Sequence, residues 1–314
     1  MLGSALGSAS HALVTNESQF KTKLFNLLRL EGERERVRQV FQRVFRDLRF
    51  KALWEFDPAY RFDDPGALPD RPAQAAALLT LDVVDQYAAG VGREGWEVWV
   101  DHSPDNLRHI NSLIAMFPNA RFVHLLRDGR GVAASVLPLD WGPNMIVDAA
   151  EWWLHDVAIG LAAERRFPDR VLLVRYEELT RNPAAVLHRI CEFTGLTFCA
   201  EMLFADALKK PAYLGKQHQQ VGKQILAAQS EQWRQSLSPR EIELFEHAAG
   251  DFLSLVGYER IARSDAPVAG KFEMLSLRVA ALIRKSLNKR RQLIRQREAI
   301  ARLPARDGSA LSLF

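Results

Sequence analysis

The sequence predicts an α/β fold in which a parallel sheet is flanked by helices. Four short apolar segments, each long enough for one buried strand, alternate with longer stretches of helical periodicity. These segments lie near residues 12–16, 97–101, 121–126 and 171–175. The chain has 314 residues, of which 48% are hydrophobic and 25% charged. That composition is typical of a globular protein, and the length is sufficient to bury a sizeable core.

The charge is distributed unevenly along the chain. The net charge is +4, but residues 271–302 hold ten Lys or Arg and two Glu, a net of +8, so the remainder carries −4. The basic balance therefore does not indicate a nucleic-acid-binding core, and we expect no nucleic-acid partner. Two cysteines, Cys191 and Cys199, are too few for a disulfide framework or a metal cluster, so we expect reduced thiols and no metal.

Targeting signals are weak in this sequence. No apolar run approaches the roughly 18 residues of a spanning helix. The first residues are small and apolar, but they lack the basic segment that opens a signal peptide. We therefore expect a cytoplasmic protein.

The most informative stretch runs from Arg121 to Ser135. Phe122 to Leu126 predicts a buried strand, and Gly129 and Gly131 open a turn before a helix that begins near Val132 and is stopped by Pro138. The strand thus delivers Arg127 to its carboxyl end, the edge at which open parallel sheets bind ligands. A guanidinium and a helix start both favour a phosphate there. The alternative is that Arg127 forms a salt bridge with Asp128.

The first half of the chain predicts several further elements. Gly32 divides the helical pattern of residues 19–50, and aromatic residues among prolines predict a loop at 51–73. That loop either lines an acceptor pocket or packs its aromatics onto the body. The predicted elements are a helix at 1–10, a strand at His11–Thr15, helices at 19–50 and Ala75–Ala89, and a strand at Glu97–Val100.

The second half predicts a strand between long helices. Gly195 marks one helix end, and Ser238-Pro239-Arg240-Glu241 is a capping box that opens another helix. The predicted elements are helices from Pro104 to Phe117 and from Met145 to Phe167, a strand at Arg170–Val174, and helices from Ala184 to Thr194 and from Pro239 to about Val256.

The segment Arg-Asp-x-Arg-x-Val-Ala-Ala-Ser after a strand resembles the 3′-phosphate-binding segment of sulfotransferases that use 3′-phosphoadenylyl sulfate. The resemblance covers residues 1–260 and implies a P-loop NTPase-like architecture. It implies that Arg127 and Ser135 hold the 3′-phosphate of the nucleotide. It also implies that Tyr176 contacts the nucleotide, the alternative being that this tyrosine only packs at the strand end. Lys223 is the implied phosphate contact in the later loop, and Lys216 is the second candidate.

The sequence departs from the family at its start. The family has a first strand and a phosphate loop before the helix that corresponds here to residues 1–10, and this loop cradles the 5′-phosphosulfate. Neither is encoded in the 314 residues. We expect a true start upstream of Met1, the alternative being a protein that has lost the loop. We expect poor turnover of donor by this chain without that loop.

Two further residues have roles implied by the resemblance. Glu17 stands where tyrosylprotein-type sulfotransferases have the catalytic base, which takes the proton from an acceptor hydroxyl. The alternative is a structural, salt-bridged glutamate. His102 stands where the family usually has a lysine near the sulfonate. It could donate a hydrogen bond if protonated, act as a base if neutral, or only cap the strand end.

The resemblance implies sulfonyl transfer from 3′-phosphoadenylyl sulfate to a hydroxyl or amine. A non-catalytic nucleotide- or sugar-binding relative is the alternative, and a kinase is disfavoured because the chain has no Walker Gly-Lys-Ser/Thr loop. The acceptor stays open among carbohydrate, lipid, small metabolite and tyrosine peptide. Residues 261–314 form a separate tail, whose amphipathic segment 271–302 either contacts an anionic membrane or a partner, or covers the body as an extra helix.

Overall fold

The computed structural model describes residues 1–31, 36–204, 207–208, 211–214, 230–263 and 265–302. Its four strands are β1 (Ala12–Val14), β2 (Val98–Val100), β3 (Phe122–Leu126) and β4 (Val171–Arg175). They form two parallel pairs, β1 with β2 and β3 with β4. The fold class, the four strand positions and the parallel pairing are therefore confirmed.

Helices surround these strands. They are α1 (Leu2–Leu6), α2 (Phe20–Glu31), α3 (Val37–Phe45), α4 (Leu48–Trp54), α5 (Pro72–Gly90), α6 (Ile110–Met116), α7 (Gly129–Val136), α8 (Ile146–Arg166), α9 (Tyr176–Arg181), α10 (Pro183–Thr194), α11 (Trp233–Ser236), α12 (Pro239–Ala249), α13 (Phe252–Leu255) and α14 (Lys271–Ala301). A six-residue 3-10 helix, Pro104–His109, precedes α6. Within the described residues, none of these helices has the length and apolarity needed to cross a membrane.

The first half of the chain packs around an aromatic cluster. The ring of Phe20 on α2 lies 5.1 to 5.4 Å from the rings of Phe45, Phe50 and Trp54. Such edge-to-face contacts fix α2, α3 and α4 against each other. Because Phe20 follows Glu17 and Ser18 by only a few residues, this cluster also anchors the segment between β1 and α2.

The prediction of a loop over the whole of 51–73 was wrong at its start. Residues 48–54 are helical because the Asp47 carboxylate accepts a hydrogen bond from the Arg49 backbone N–H and caps the helix, which ends at Glu55 in the left-handed conformation. Phe56, Tyr60 and Phe62 in the following irregular segment pack against the same aromatic cluster. Packing onto the body, one of the two open alternatives for these aromatics, is therefore what the structure shows.

Helix boundaries in the second half follow the local signals with two corrections. The Ser238 capping box and the left-handed Gly195 are confirmed. The helix predicted from Val132 starts at Gly129 instead, because the Asp128 carboxylate caps it through the Arg130 N–H. The helix predicted to reach Val256 ends at Ala249, where Gly250 has a φ of 56° and ψ of −143°.

Candidate active site

A cleft of about 1000 Å³ lies between the two strand pairs. Side chains of β2 and β3 both line it, as do residues at the carboxyl ends of these strands. Residues before both strands, such as Glu97 and Arg121, line it as well, so the cleft runs along the strands and includes the carboxyl edge at which parallel sheets bind ligands. Three of the predicted site residues, Glu17, His102 and Arg127, line this one cleft. Residues that are 110 positions apart in sequence thus share a single cavity.

Glu17 is held rigidly at the wall of the cleft. Its backbone carbonyl accepts a hydrogen bond of 3.0 Å from Trp54 Nε1, and its Oε2 lies 3.3 Å from Arg49 Nη2. The side chain is 22% exposed. Burial raises the pKa of the carboxyl above its usual 4.5, Arg49 opposes the rise, and the charges of Asp105 and Asp101 add to it. A carboxylate with a raised pKa is a better proton acceptor.

A buried ion pair ties the Glu17 segment to the end of β2. Lys21 Nζ lies 2.6 Å from Asp101 Oδ2 and 3.0 Å from Ser18 Oγ. Ser103 Oγ donates to Asp101 Oδ1 at 2.8 Å, and the Ser18 backbone N–H donates to Ser103 Oγ at 2.7 Å. Burial tends to raise the pKa of Asp101, but Lys21 and these hydrogen bonds outweigh it and hold the pKa at about 2. Lys21 was not predicted from the sequence, where its only signal is its position four residues after Glu17.

His102 follows Asp101 directly and lies in the same cleft. Burial lowers the pKa of its imidazole below 6.5, against the opposing charge of Asp101. Its buried Nε2 has no hydrogen-bond partner among the described residues. The neutral ring is therefore the form present at pH 7. Among the roles that the sequence left open, this favours a base or a neutral hydrogen-bonding group over a protonated donor.

Arg127 is positioned by its neighbours at the end of β3. Its guanidinium carbon lies 4.3 Å from the centre of the Tyr176 ring, and Trp153 Nε1 donates to its backbone carbonyl at 3.0 Å. A Cβ at Gly131 would stand 3.0 Å from Arg127 Nε, so the glycine makes room for the side chain. Tyr176 is itself buried at the start of α9. The structure thus brings Arg127 and Tyr176 together, as the resemblance requires.

The neighbouring acid of Arg127 is held by another arginine. Both carboxylate oxygens of Asp128 are bound by Arg130, through Nη2 at 2.7 Å and Nε at 3.0 Å. Arg130 also pairs with the fully buried Glu246 of α12 and lies over the Trp233 ring. The alternative for Arg127 is a salt bridge with Asp128. In that role Arg127 would compete with Arg130, which already binds both carboxylate oxygens of Asp128.

The remaining predicted residues lie differently. Ser135 is exposed on α7, and its hydroxyl donates to the Val132 carbonyl at 2.7 Å. It does not line the cleft, and its hydroxyl must turn from this bond to reach a ligand beside Arg127. Lys223 and Lys216 lie outside the described residues. In the part of the chain that is described, no group of three or more His, Cys, Asp or Glu side chains could hold a metal ion.

The chemistry of the cleft follows from these groups. A carboxylate with a raised pKa and a neutral imidazole suit proton abstraction from a hydroxyl or amine. An arginine stacked on a tyrosine at a strand end suits a phosphate or another oxyanion. The cleft therefore brings groups suited to accepting a proton and a group suited to binding an anion into one cavity.

Comparisons with known proteins show the family of the chain. A model of the sulfotransferase family matches residues 5–200, more than half of the chain. An uncharacterised protein of Aquifex aeolicus is 27% identical over 249 residues, which cover 73% of this chain and 28% of that protein. Carbohydrate sulfotransferase 1 of Mus musculus is 25% identical over 162 residues, covering 45% of this chain and 39% of that protein. The chain thus spans less than two fifths of the length of either relative.

Two solved structures are similar in fold. The sulfotransferase domain of the Synechococcus PCC 7002 olefin synthase has a TM-score of 0.48 and 23% identity, covering 80% of this chain and 90% of that domain. The sulfotransferase domain from the curacin biosynthetic pathway has a TM-score of 0.47 and 15% identity. The match covers 82% of this chain and 93% of that domain.

Proposed function

Because the chain belongs to the sulfotransferase family, we propose that it transfers a sulfonate group from 3′-phosphoadenylyl sulfate to a hydroxyl or amine acceptor. The observation that supports this most directly is that Glu17, His102 and Arg127 line one cleft, the last two from the carboxyl ends of β2 and β3. It provides a proton acceptor and an anion-binding group in the same cavity.

Arg127 binds the 3′-phosphate of the donor in this proposal. The guanidinium forks onto two phosphate oxygens, and the Tyr176 ring beneath it fixes its plane. Ser135 adds one hydrogen bond from α7 after rotation of its hydroxyl away from Val132. Lys223, with Lys216 as the second candidate, stays a proposed phosphate contact.

Glu17 acts as the general base. It takes the proton from the acceptor as the acceptor oxygen or nitrogen forms a bond to sulfur and the bond between sulfur and the 5′-phosphate oxygen breaks. The products are the sulfonated acceptor, adenosine 3′,5′-bisphosphate and a protonated Glu17. His102 accepts or donates a hydrogen bond beside the reacting group through its Nε2. No metal takes part in the proposed reaction.

The experiment compares two nucleotides by calorimetry. Adenosine 3′,5′-bisphosphate should bind more tightly than adenosine 5′-phosphate. Arg127→Ala should weaken binding of the bisphosphate roughly 10- to 100-fold, because a charge-assisted hydrogen bond contributes about 1.5–3 kcal/mol. Ser135→Ala should weaken it at most about 10-fold, because a neutral hydrogen bond contributes less. Both changes should leave the monophosphate nearly unaffected.

Arg189→Ala provides the matched control. Arg189 is an exposed arginine on α10, paired with Glu178 and away from the cleft, so its loss should change neither affinity. Equal weakening of both nucleotides by Arg127→Ala would contradict the assignment of the 3′-phosphate. The alternative function is that of a non-catalytic nucleotide- or sugar-binding protein, and it predicts the same nucleotide binding. It differs in a transfer assay on a chain that carries the phosphate loop, where it predicts that no labelled sulfonate reaches any acceptor.

A further inference from the structure

Helix α14 contacts the body through a row of polar side chains, together with Leu277, Ala299 and Ile300, which pack on the apolar clusters. Asn288 Nδ2 donates to Asn144 Oδ1 at 3.1 Å, Gln292 Nε2 donates to the Asp140 carbonyl at 2.8 Å, and Arg295 Nη2 lies 2.9 Å from Asp140 Oδ1. Arg284 donates to the Leu137 carbonyl. These four positions recur every three to four residues, so they form one stripe along the helix.

The opposite face of α14 is apolar and exposed. At about 100° per residue, its apolar side chains lie roughly 120° to 180° away from Asn288. Their exposed fractions range from 49% to 90%, and they are Phe272, Leu275, Val279, Leu282 and Ile283. A helix on a globular body normally buries such a stripe and exposes its polar face. Here the stripe from Phe272 to Ile283 points away from the body, so this apolar face is available to something other than the chain's own core.

Cations border this apolar face. Lys271, Arg278, Lys285 and Lys289 are all exposed and lie along one flank of the stripe. Of the two acids in the segment, Glu273 is paired with Arg240 of α12 and Glu298 lies at the far end. On the body side, Asp148 of α8 faces Arg278 and Lys285. The exposed part of the helix therefore combines a large apolar stripe with a positive edge that this one carboxylate offsets in part.

We propose that the outer face of α14, the stripe from Phe272 to Ile283 with its cationic flank, is a docking surface for an anionic lipid bilayer. Apolar side chains would enter the boundary between headgroups and acyl chains, while the flanking cations contact acidic headgroups. A second copy of the chain is the less favourable occupant, because two segments of net charge +8 repel each other. The inference is independent of the proposed transfer reaction.

Co-sedimentation with vesicles tests the proposal. The full chain should bind vesicles that contain about 30% phosphatidylserine, bind pure phosphatidylcholine far more weakly, and lose affinity as salt rises. The triple change Leu275→Ser, Leu282→Ser and Ile283→Ser should weaken binding about 100-fold, since each side chain loses its apolar transfer free energy.

Two further variants separate the causes. Arg278→Gln, Lys285→Gln and Lys289→Gln together should also weaken binding about 100-fold, because each cation near an anionic surface contributes about fivefold. The matched control is Leu30→Ser with Leu255→Ser, exposed leucines of α2 and α13 at 75% and 76% exposure, which should bind as the unchanged chain does.

The measurements can overturn the proposal in three ways. Absence of vesicle binding, equal binding to neutral and anionic vesicles, or equal weakening by the control variant would each contradict it. A dimer in light scattering that the triple change dissociates, without any vesicle binding, would assign the surface to a second copy instead. Melting temperatures of all variants should match the unchanged chain, because every altered side chain is exposed.

Discussion

At the scale of single residues, the environment of Glu17 decides whether a carboxylate can serve as a base. Burial raises its pKa, while Arg49 at 3.3 Å limits the rise. A base must be deprotonated to work, so in the proposed reaction we expect transfer to be fastest above the pKa of Glu17 and to fall as the pH drops through it. In that proposal burial moves the acid edge of the active range to higher pH, and Arg49 moves it back towards lower pH.

In a chain that carries the phosphate loop and transfers sulfonate, substitutions of Glu17 and Arg49 should have different effects. Glu17→Gln should lower the rate roughly 10²- to 10⁴-fold while nucleotide affinity is kept, because a base acts in the transition state. Arg49→Ala should move the acid limb of the rate profile to higher pH, since the opposing cation is gone. Stopped assays across pH measure both, with Glu178→Gln, an exposed glutamate of α9, as the control. An acid limb that moves to lower pH in Arg49→Ala would contradict this account.

At the scale of elements, the Lys21–Asp101 pair joins the start of α2 to the end of β2. The two side chains are 3% and 11% exposed, and the hydrogen bonds of Ser18 and Ser103 complete the junction. Because Glu17 belongs to one of the joined segments and His102 to the other, this pair determines how the two groups face the cleft. A buried pair of this kind is costly to break, since the remaining charge is left without compensation.

Two methionine substitutions on the same helix measure that cost. Lys21→Met should lower the free energy of unfolding by about 3–5 kcal/mol, because it leaves the Asp101 carboxylate buried and unpaired. Lys23→Met is the matched control, since Lys23 pairs with Asp47 at 2.7 Å but is 52% exposed. It should cost less than about 1 kcal/mol. Urea unfolding gives both values, and equal losses for the two variants would show that the Asp101 junction is not specially sensitive.

At the scale of the whole molecule, buried histidines make stability depend on pH. His124 of β3 packs against Gly160 of α8, where an added Cβ would stand 2.2 Å from the ring. Burial lowers the pKa of His124 to about 4, from 6.5 in the unfolded chain. Between these values the unfolded chain binds a proton that the folded chain does not. Stability is therefore lost as the pH falls through 6.5, and the loss from this group is complete below about 4.

The expected size of this effect is up to about 3 kcal/mol, at 1.36 kcal/mol per unit of pKa difference. His124→Gln should flatten the dependence of the unfolding free energy on pH between 7 and 4, whatever it does to stability at pH 7. His155→Gln on the exposed side of α8 should keep the original slope. Chemical unfolding at a series of pH values provides the test. An unchanged slope in His124→Gln would mean that the proton is taken up elsewhere, for example at His102.

Local signals in the sequence determined the strands, most helix ends and the anchor of the site. The apolar run before Arg127 predicted β3 and placed the arginine at the ligand-binding edge, and Ser238 and Gly195 marked helix ends, because caps and left-handed turns depend on a few neighbouring residues. Glu17 and His102 were named through the family resemblance, and the structure places both in the cleft with Arg127, while their roles stay predictions.

Tertiary structure alone decided the pairings between distant residues and the orientation of faces. Lys21 meets Asp101 across 80 positions and Arg130 meets Glu246 across 116, and such contacts leave no periodic pattern to read. The amphipathic pattern of α14 predicted a helix, yet the body takes the side of that helix that carries Asn288 and Arg295 and leaves the apolar stripe from Phe272 to Ile283 exposed. Periodicity shows that two faces exist, but which one is covered depends on the partners that Asp140 and Asn144 offer on the surface beneath.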